Sequence, residues 1–303
     1  MIDWMKKHLR IACISLLSGV LLLQISKIRI TDGMKKTSME ESAKIITGDD
    51  GIEETAETLT GNDGIEDTAE TLKDHDDTTY YPNLIAPARE IKPLIDGERI
   101  CYLTFDDGPS VNTEQILDIL KDNNIKATFF VVGDSLKEIR KETVERIIEE
   151  GHAIGLHANV HNYEKLYKSL DSFLADYDTL YEKLKTTYGI ETALYRFPGG
   201  SACICLNGQG KTYVQEMGKR GFSCFDWNIS GEDSVGAPTV SSIQRNVLSK
   251  GLQCRRAYVL LHDSNVADKT VEALPEIIKE FQEEGFIFAS LENAESYVFP
   301  ISR

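Results

Sequence analysis

The chain has 303 residues, 41% of them hydrophobic, and a formal charge of −16 at pH 7, enough for one large domain or two small ones. The acidity is uneven: Thr37–Tyr80 holds fourteen Asp/Glu against two Lys/Arg, so the rest of the chain is only mildly acidic. Nothing forms the basic stripe that nucleic-acid binding needs, and no protein partner is implied.

At the N-terminus Lys6, Lys7 and Arg10 precede the apolar run Ile11–Ile25. A basic flank followed by an apolar stretch marks an exported chain. Fifteen residues span about 22 Å as a helix, short of the roughly 30 Å hydrocarbon core. Ser26 and snorkelling by Lys27 and Arg29 would lengthen the span. No small-x-small cleavage site closes the run. The expectation is therefore an uncleaved single-pass membrane anchor over residues 1–30, N-terminus inside, with the rest of the chain extracellular. Signal-peptide cleavage and secretion is the alternative.

Residues 31–97 read as a linker. Gly48–Thr60 (GDDGIEETAETLT) returns as Gly61–Lys73 (GNDGIEDTAETLK). Two short acidic copies cannot build a solenoid. Low hydrophobicity and high charge predict a disordered, self-repelling spacer instead. Calcium binding is disfavoured because the acids do not match the EF-hand spacing.

From residue 98 to 303 strand and helix patterns alternate. Strands are expected at Arg99–Phe105, Lys126–Val132, Ala153–Leu156, Leu194–Phe197, Ser223–Trp227, Ala257–Leu261 and Phe286–Ser290. Helices are expected at Thr113–Asp122, Lys137–Glu150, Leu170–Thr187, Thr212–Arg220, Val240–Leu248 and Lys269–Glu284. About seven parallel strands in β/α units predict a barrel, although an open doubly wound sheet has the same periodicity. Five cysteines in this region leave at least one thiol without an intramolecular partner. Cys203 and Cys205 read as too close to pair easily with each other, and Cys101 and Cys224 as small core residues. With no CxxC pair, a cysteine zinc site is disfavoured.

The chemistry-bearing residues gather at strand ends. Thr104–Pro109 reads Thr-Phe-Asp-Asp-Gly-Pro, and strand alternation would send Asp106 and Asp107 to opposite sides. Both serve one site only if the chain bends there. His157 and His161, spaced i, i+4, suit a divalent metal if they share one face of a helical turn. Asp107 with these two histidines would leave coordination positions open for water and substrate, as a catalytic metal needs. His152 fits no such pattern and reads as structural. Arg196, Asp226 and His262 also fall at the carboxyl ends of predicted strands, the face on which parallel α/β barrels build active sites.

The ordered segments Thr104–Pro109, His157–His161, Arg196–Pro198, Asp226-Trp227-Asn228 and Leu260–His262 resemble the polysaccharide deacetylase family, the NodB-homology domain or carbohydrate esterase family 4. The resemblance spans about Arg99 to Leu291. It implies a distorted (β/α) barrel, zinc or another divalent ion such as cobalt, and removal of N-acetyl groups from a glycan. Carried over residue by residue, Asp107, His157 and His161 hold the metal. Asp106 is the general base, oriented and kept ionised by Arg196, and His262 is the general acid, kept charged by Asp226. Trp227 and Leu260 wall the acetyl pocket, and Pro198 and Gly199 line the substrate site with a backbone N–H for the oxyanion. Two positions depart from the family pattern. Ala158 stands where a hydroxyl usually braces the metal loop, which predicts weaker metal binding. Gly199 stands where a tyrosine usually contacts substrate.

The Arg-Phe-Pro-Gly-Gly segment resembles wall-acting relatives and implies a cell-wall substrate, peptidoglycan N-acetylglucosamine. Chitin oligosaccharides, poly-N-acetylglucosamine and xylan are the alternatives. A catalytically silent, membrane-tethered glycan-binding module is the alternative of another class.

Overall fold

A computed structural model describes residues 80–92, 97–137 and 140–300. The expected anchor and acidic repeat lie outside the described residues, among which no helix is long and apolar enough to cross a membrane.

The elements follow the sequence pattern in order. They are β1 (Ile100–Asp106), α1 (Thr113–Asp122), β2 (Thr128–Val132), α2 (Lys141–Glu149), β3 (Ala153–Ala158), α3 (Tyr163–Leu166) and α4 (Leu170–Tyr188). There follow β4 (Leu194–Tyr195), α5 (Gly210–Lys219), β5 (Ser223–Cys224), β6 (Ile229–Ser230), α6 (Val240–Gly251), β7 (Arg256–His262), α7 (Asp268–Glu283) and β8 (Ile287–Phe288). β1 and β2 are largely apolar, and from Cys101 onward and throughout β2 every residue is buried on either face, as strands inside a parallel sheet must be. The helices begin and end where local chemistry dictates. Ser169 caps α4 through the Ser172 N–H, and Gly189 closes it in the left-handed region, φ 67°. Thr239 and Ser242 form a reciprocal capping box at the start of α6.

All strand pairings are parallel, in the order β5-β4-β3-β2-β1-β7-β6. β8 takes the first two residues of β1, on an edge that β2 joins from Thr104 onward. The expected distorted barrel of about seven parallel strands takes the form of a half-barrel: among the described residues β5 and β6 do not pair with each other. The gap is spanned by the C-terminal segment: Tyr297 bridges Phe225, its N–H donating to Cys224 O (3.2 Å) and its carbonyl accepting from the Asp226 N–H (2.6 Å). Periodicity could not show this, since closure depends on edge pairings between short strands remote in sequence.

Alternation along β1 and β7 places Tyr102, Thr104 and Asp106 beside Tyr258, Leu260 and His262 in register. A satellite core of Tyr102, Phe130, Leu194, Phe225 and Tyr258 fills the lower part of the concave face. Tyr102, Tyr258 and Tyr297 stack there at 4.9 and 4.8 Å between ring centroids. The main apolar core lies between the sheet and the helices.

The part of the expected linker from Tyr80 to Lys92 is packed against the domain. Leu84 is fully buried. Tyr181 donates to Ile85 O (2.9 Å), and Arg89 donates to the carbonyls of Leu291, Glu292 and Ala294 (2.8–3.2 Å). The folded unit thus begins well before residue 98, masked in the sequence by the charged stretch that precedes it.

Candidate active site

Asp106 ends β1, and Asp107 follows with φ 76°. That left-handed residue is the bend required for two adjacent carboxylates to face one site; Asp tolerates it better than most side chains. The turn continues through a cis Gly108–Pro109 bond. Gly108 is required by space, because a Cβ there would lie 2.3 Å from Asp263 Oδ2. Asp263 is itself buried and held by Ser110 and Thr113, each at 2.6 Å.

His157 lies on β3 and His161 in the loop before α3, so the histidine pair is not on a helical turn as expected. The strand end and the loop bring the rings to 5.3 Å all the same. Asp107 Oδ1 lies 3.5 Å from Nε2 of each histidine. The ligand atoms of Asp107, His157 and His161 all fall within 4.8 Å of one another. Asp107 Oδ1 is buried without a hydrogen-bond partner, an arrangement that a bound cation would satisfy. His157 Nδ1 lies 3.0 Å from Arg196 O, which fixes the ring with Nε2 toward Asp107. Burial pushes the His157 imidazole down to about 3, so it is neutral and its nitrogen is free to ligate. The donor set therefore fits a divalent metal ion. The loop lacks a hydroxyl at Ala158, but Asp176 of α4 accepts from the N–H groups of Asn159 (2.6 Å) and Val160 (3.1 Å).

Arg196 is fully buried above Phe130, 4.3 Å from the ring centroid. Its guanidinium donates to Asp106 Oδ1 (2.8 Å), Thr104 Oγ1 (2.7 Å), Phe225 O (2.7 Å) and Asp226 O (3.2 Å). The contact with Asp106 is as expected. Burial raises the Asp106 carboxyl above its ordinary value, and the charges of Arg196 and His262 oppose that rise.

His262 faces Asp106 in register across β1 and β7. Its partner is Asp233, not Asp226. Asp233 Oδ1 lies 2.8 Å from His262 Nδ1, and Oδ2 accepts from the His262 N–H (2.8 Å) and from Thr270 Oγ1 (2.6 Å). Burial alone would lower the imidazole pKa. The Asp233 hydrogen bond and charge, with Asp106 and Asp107, outweigh that and push it up to about 9. Asp226 is buried elsewhere, accepting from the Ser201 N–H (2.9 Å), Ser201 Oγ (2.5 Å) and the Phe299 N–H (2.7 Å). Asp226 was expected in that role from the resemblance of its Asp-Trp segment to the family motif. Asp233 sits in a loop, where acids are ordinary, and only its spacing from β6 could have flagged it.

The cleft, about 440 Å³, is lined by Asp106, Asp107, His157, His161, Gly199, Trp227, Leu260 and His262, and also by Tyr163, Ser230, Glu232, Ser234 and Val235. Pro198 lies behind the wall, where its carbonyl accepts from Tyr167 Oη (2.7 Å). Tyr163 escaped the sequence reading. Its ring packs edge-on to His161 at 5.4 Å, and its hydroxyl lies 3.3 Å from where a Gly199 Cβ would stand. Beside Gly199, Cys203 and Cys205 are joined in a disulfide, contrary to expectation. One intervening residue sets their Cα atoms 5.2 Å apart, within the usual span. Cys101 and Cys224 are buried thiols, as expected of core residues. His152 is structural, accepting from the Ala127 N–H (3.1 Å).

A carboxylate beside a candidate metal triad, facing a carboxylate-backed histidine across one cleft, equips the strand ends of this half-barrel for hydrolysis. The polysaccharide deacetylase family model matches residues 95–222. The chain is 32% identical to a peptidoglycan-N-acetylglucosamine deacetylase of Bacillus cereus, over 73% of this chain and 77% of that protein. It is 30% identical to a chitooligosaccharide deacetylase of Rhizobium leguminosarum, over 64% and 91%. The catalytic domain of a peptidoglycan N-acetylglucosamine deacetylase from Eubacterium rectale superposes with a TM-score of 0.64 at 29% identity, over 72% of this chain and 99% of that one. The chain belongs to the polysaccharide deacetylase family, enzymes that hydrolyse carbon–nitrogen bonds in acetylated glycans.

Proposed function

We propose that this chain is a divalent-metal-dependent deacetylase that removes the N-acetyl group from N-acetylglucosamine in peptidoglycan. The convergence of Asp107, His157 and His161 beside Asp106 and His262 in one cleft carries the reading. Zinc, or another divalent ion such as cobalt, would supply a Lewis acid for the acetamide carbonyl. The remaining chemistry belongs to the chain. Asp106, made more basic by burial and held by Arg196, takes a proton from the attacking water. His262, kept cationic by Asp233, gives a proton to the departing nitrogen as the carbon–nitrogen bond breaks, leaving acetate and a free amine. Trp227 and Leu260 face the acetyl methyl, and the Gly199 N–H serves the oxyanion.

The peptidoglycan assignment is supported by the relatives from Bacillus cereus and Eubacterium rectale. The basic flank and apolar run of residues 1–30 support a membrane anchor with the catalytic domain outside the cell. Acetate release from purified peptidoglycan with added zinc or cobalt tests the activity. Release from chitin oligosaccharides alone would move the substrate to that class, which the Rhizobium leguminosarum relative supports. Fractionation tests the anchor: a secreted product beginning after Ser26 would refute it.

A further inference from the structure

The hydrolysis leaves the Cys203–Cys205 disulfide without a task. It is a poor staple for the fold. Only Ile204 lies between the two cysteines, so closing the ring takes little conformational freedom from the unfolded chain. The pair packs on the outside of the main apolar core rather than within it. It is also accessible. Both cysteines are partly exposed, and Ile204 at the apex is 92% exposed, so a dissolved thiolate can reach the bond. Cys101 and Cys224 are buried, and burial pushes both thiols up, which keeps them out of exchange.

The position of the bond gives it a consequence. Gly199, whose N–H serves the oxyanion, is left-handed at φ 77° and has no side chain to fix it. Its neighbours hold it instead. Cys203 Sγ and Tyr163 Oη each lie 3.3 Å from where a Gly199 Cβ would stand. The turn that follows is tied by the Cys203 N–H to Gly200 O (3.1 Å), the Cys205 N–H to Cys203 Sγ (3.3 Å) and the Leu206 N–H to Cys203 O (3.1 Å). The sulfur packed against Gly199 is thus kept there by its bond to Cys205. As a thiol, Cys203 is free to turn about χ1 and leave Gly199. We propose that this disulfide is a redox switch on the cleft wall: oxidised, it holds Gly199 in place for the oxyanion, and reduced, it releases that residue and slows turnover. The proposal rests on the deacetylase reading, since it concerns regulation of that same site. The reductant is a low-molecular-weight thiol. One thiolate attacks a sulfur of the pair to give a mixed disulfide, and a second resolves it. Two thiols are oxidised to one disulfide, while Cys203 and Cys205 each gain one electron and one proton.

Metal-loaded full-length protein, equilibrated over a series of reduced-to-oxidised glutathione ratios, tests this through free thiols, acetate release and metal content. Reduction should expose the two thiols of the pair in the folded protein. It should lower kcat about tenfold, short of the roughly 10²–10³ lost with an oxyanion donor outright. KM should change little, because the oxyanion forms only on the way to products. Metal content and the alkaline limb set by His262 should stay as they were. Cys203→Ser combined with Cys205→Ser should show the reduced-state kcat with no thiol present, and should ignore the glutathione ratio. No new thiols, an unchanged kcat in the serine pair, or a loss confined to KM would overturn the switch. Lost metal or a large fall in melting temperature would overturn it too, making the bond a brace for the fold. A readout besides activity separates the two readings. In protein labelled with nitrogen-15 glycine, the Gly199 amide resonance, identified by its loss in Gly199→Ala, should shift on reduction. Acetate release with an unmoved Gly199 resonance and an unchanged kcat sinks the switch alone. A Gly199 resonance that follows the glutathione ratio without acetate release in any state sinks the deacetylase reading and leaves redox control of that wall standing.

Discussion

Asp106 and Asp107 are adjacent in the chain but differ in surroundings, one fully inside the protein against Arg196, the other turned outward by a left-handed backbone toward two histidines. Their amide replacements should fail differently. Asp106→Asn should retain metal and lose about two to four orders of magnitude in turnover, the usual size of a general-base contribution. Asp107→Asn should weaken metal binding, so that excess zinc partly restores the rate. Metal content measured beside turnover separates the two, and equal metal loss would mean the roles are wrongly divided. His262 gives a pH prediction. It acts in its charged form, which Asp233 favours, so activity should fall as pH rises through about 9. Removing the charge in Asp233→Asn lowers that pKa and should move the alkaline limb to lower pH. The same replacement at Asp226 should leave the limb in place, because Asp226 holds Ser201 and Phe299 instead.

At the scale of elements, the segment from Tyr80 to Lys92 behaves as part of the domain. Burial of Leu84 contributes about 1.5–3 kcal/mol, and the three carbonyl bonds of Arg89 add roughly 1–3 kcal/mol. A chain starting at Glu98 should therefore melt on the order of 10 °C below one starting at Tyr80, given roughly 2–4 °C per kcal/mol at this size. Equal melting temperatures by calorimetry would show that the segment adds nothing. The long central strands were legible because burial on both faces leaves an apolar run, as in Ile100–Leu103 and Phe129–Val132. The two-residue strands β4, β5 and β6 carry too little pattern to fix their bounds, and β6 went unseen. The cluster of Asp107, His157 and His161 was legible as a spacing, although the helix invoked to explain that spacing is a strand end and a loop. Asp233 and Tyr163 were not legible, because each owes its place to a loop whose path depends on distant elements.

For the whole molecule, metal and fold should be separable. The large core between sheet and helices includes none of the metal ligands. Chelation should abolish acetate release while leaving the far-ultraviolet circular dichroism nearly unchanged, and added zinc or cobalt should restore activity. Full activity after exhaustive chelation, with no metal by elemental analysis, would remove the metal from the mechanism. Loss of the dichroism signal would make the metal a structural requirement.

The C-terminal segment that spans the gap between β5 and β6 also sets an order of events during synthesis. Asp226 receives the Phe299 N–H across 73 residues of chain. At ribosomal speeds that separation is roughly 4–15 s of elongation. During that interval the carboxylate that anchors Ser201, and with it the Gly199–Ser201 wall of the cleft, lacks one of its three donors. Phe299 follows Asp106, Asp107, His157, His161 and His262 in the chain, so the wall beside these residues gains its last hydrogen bond only after all of them have been made.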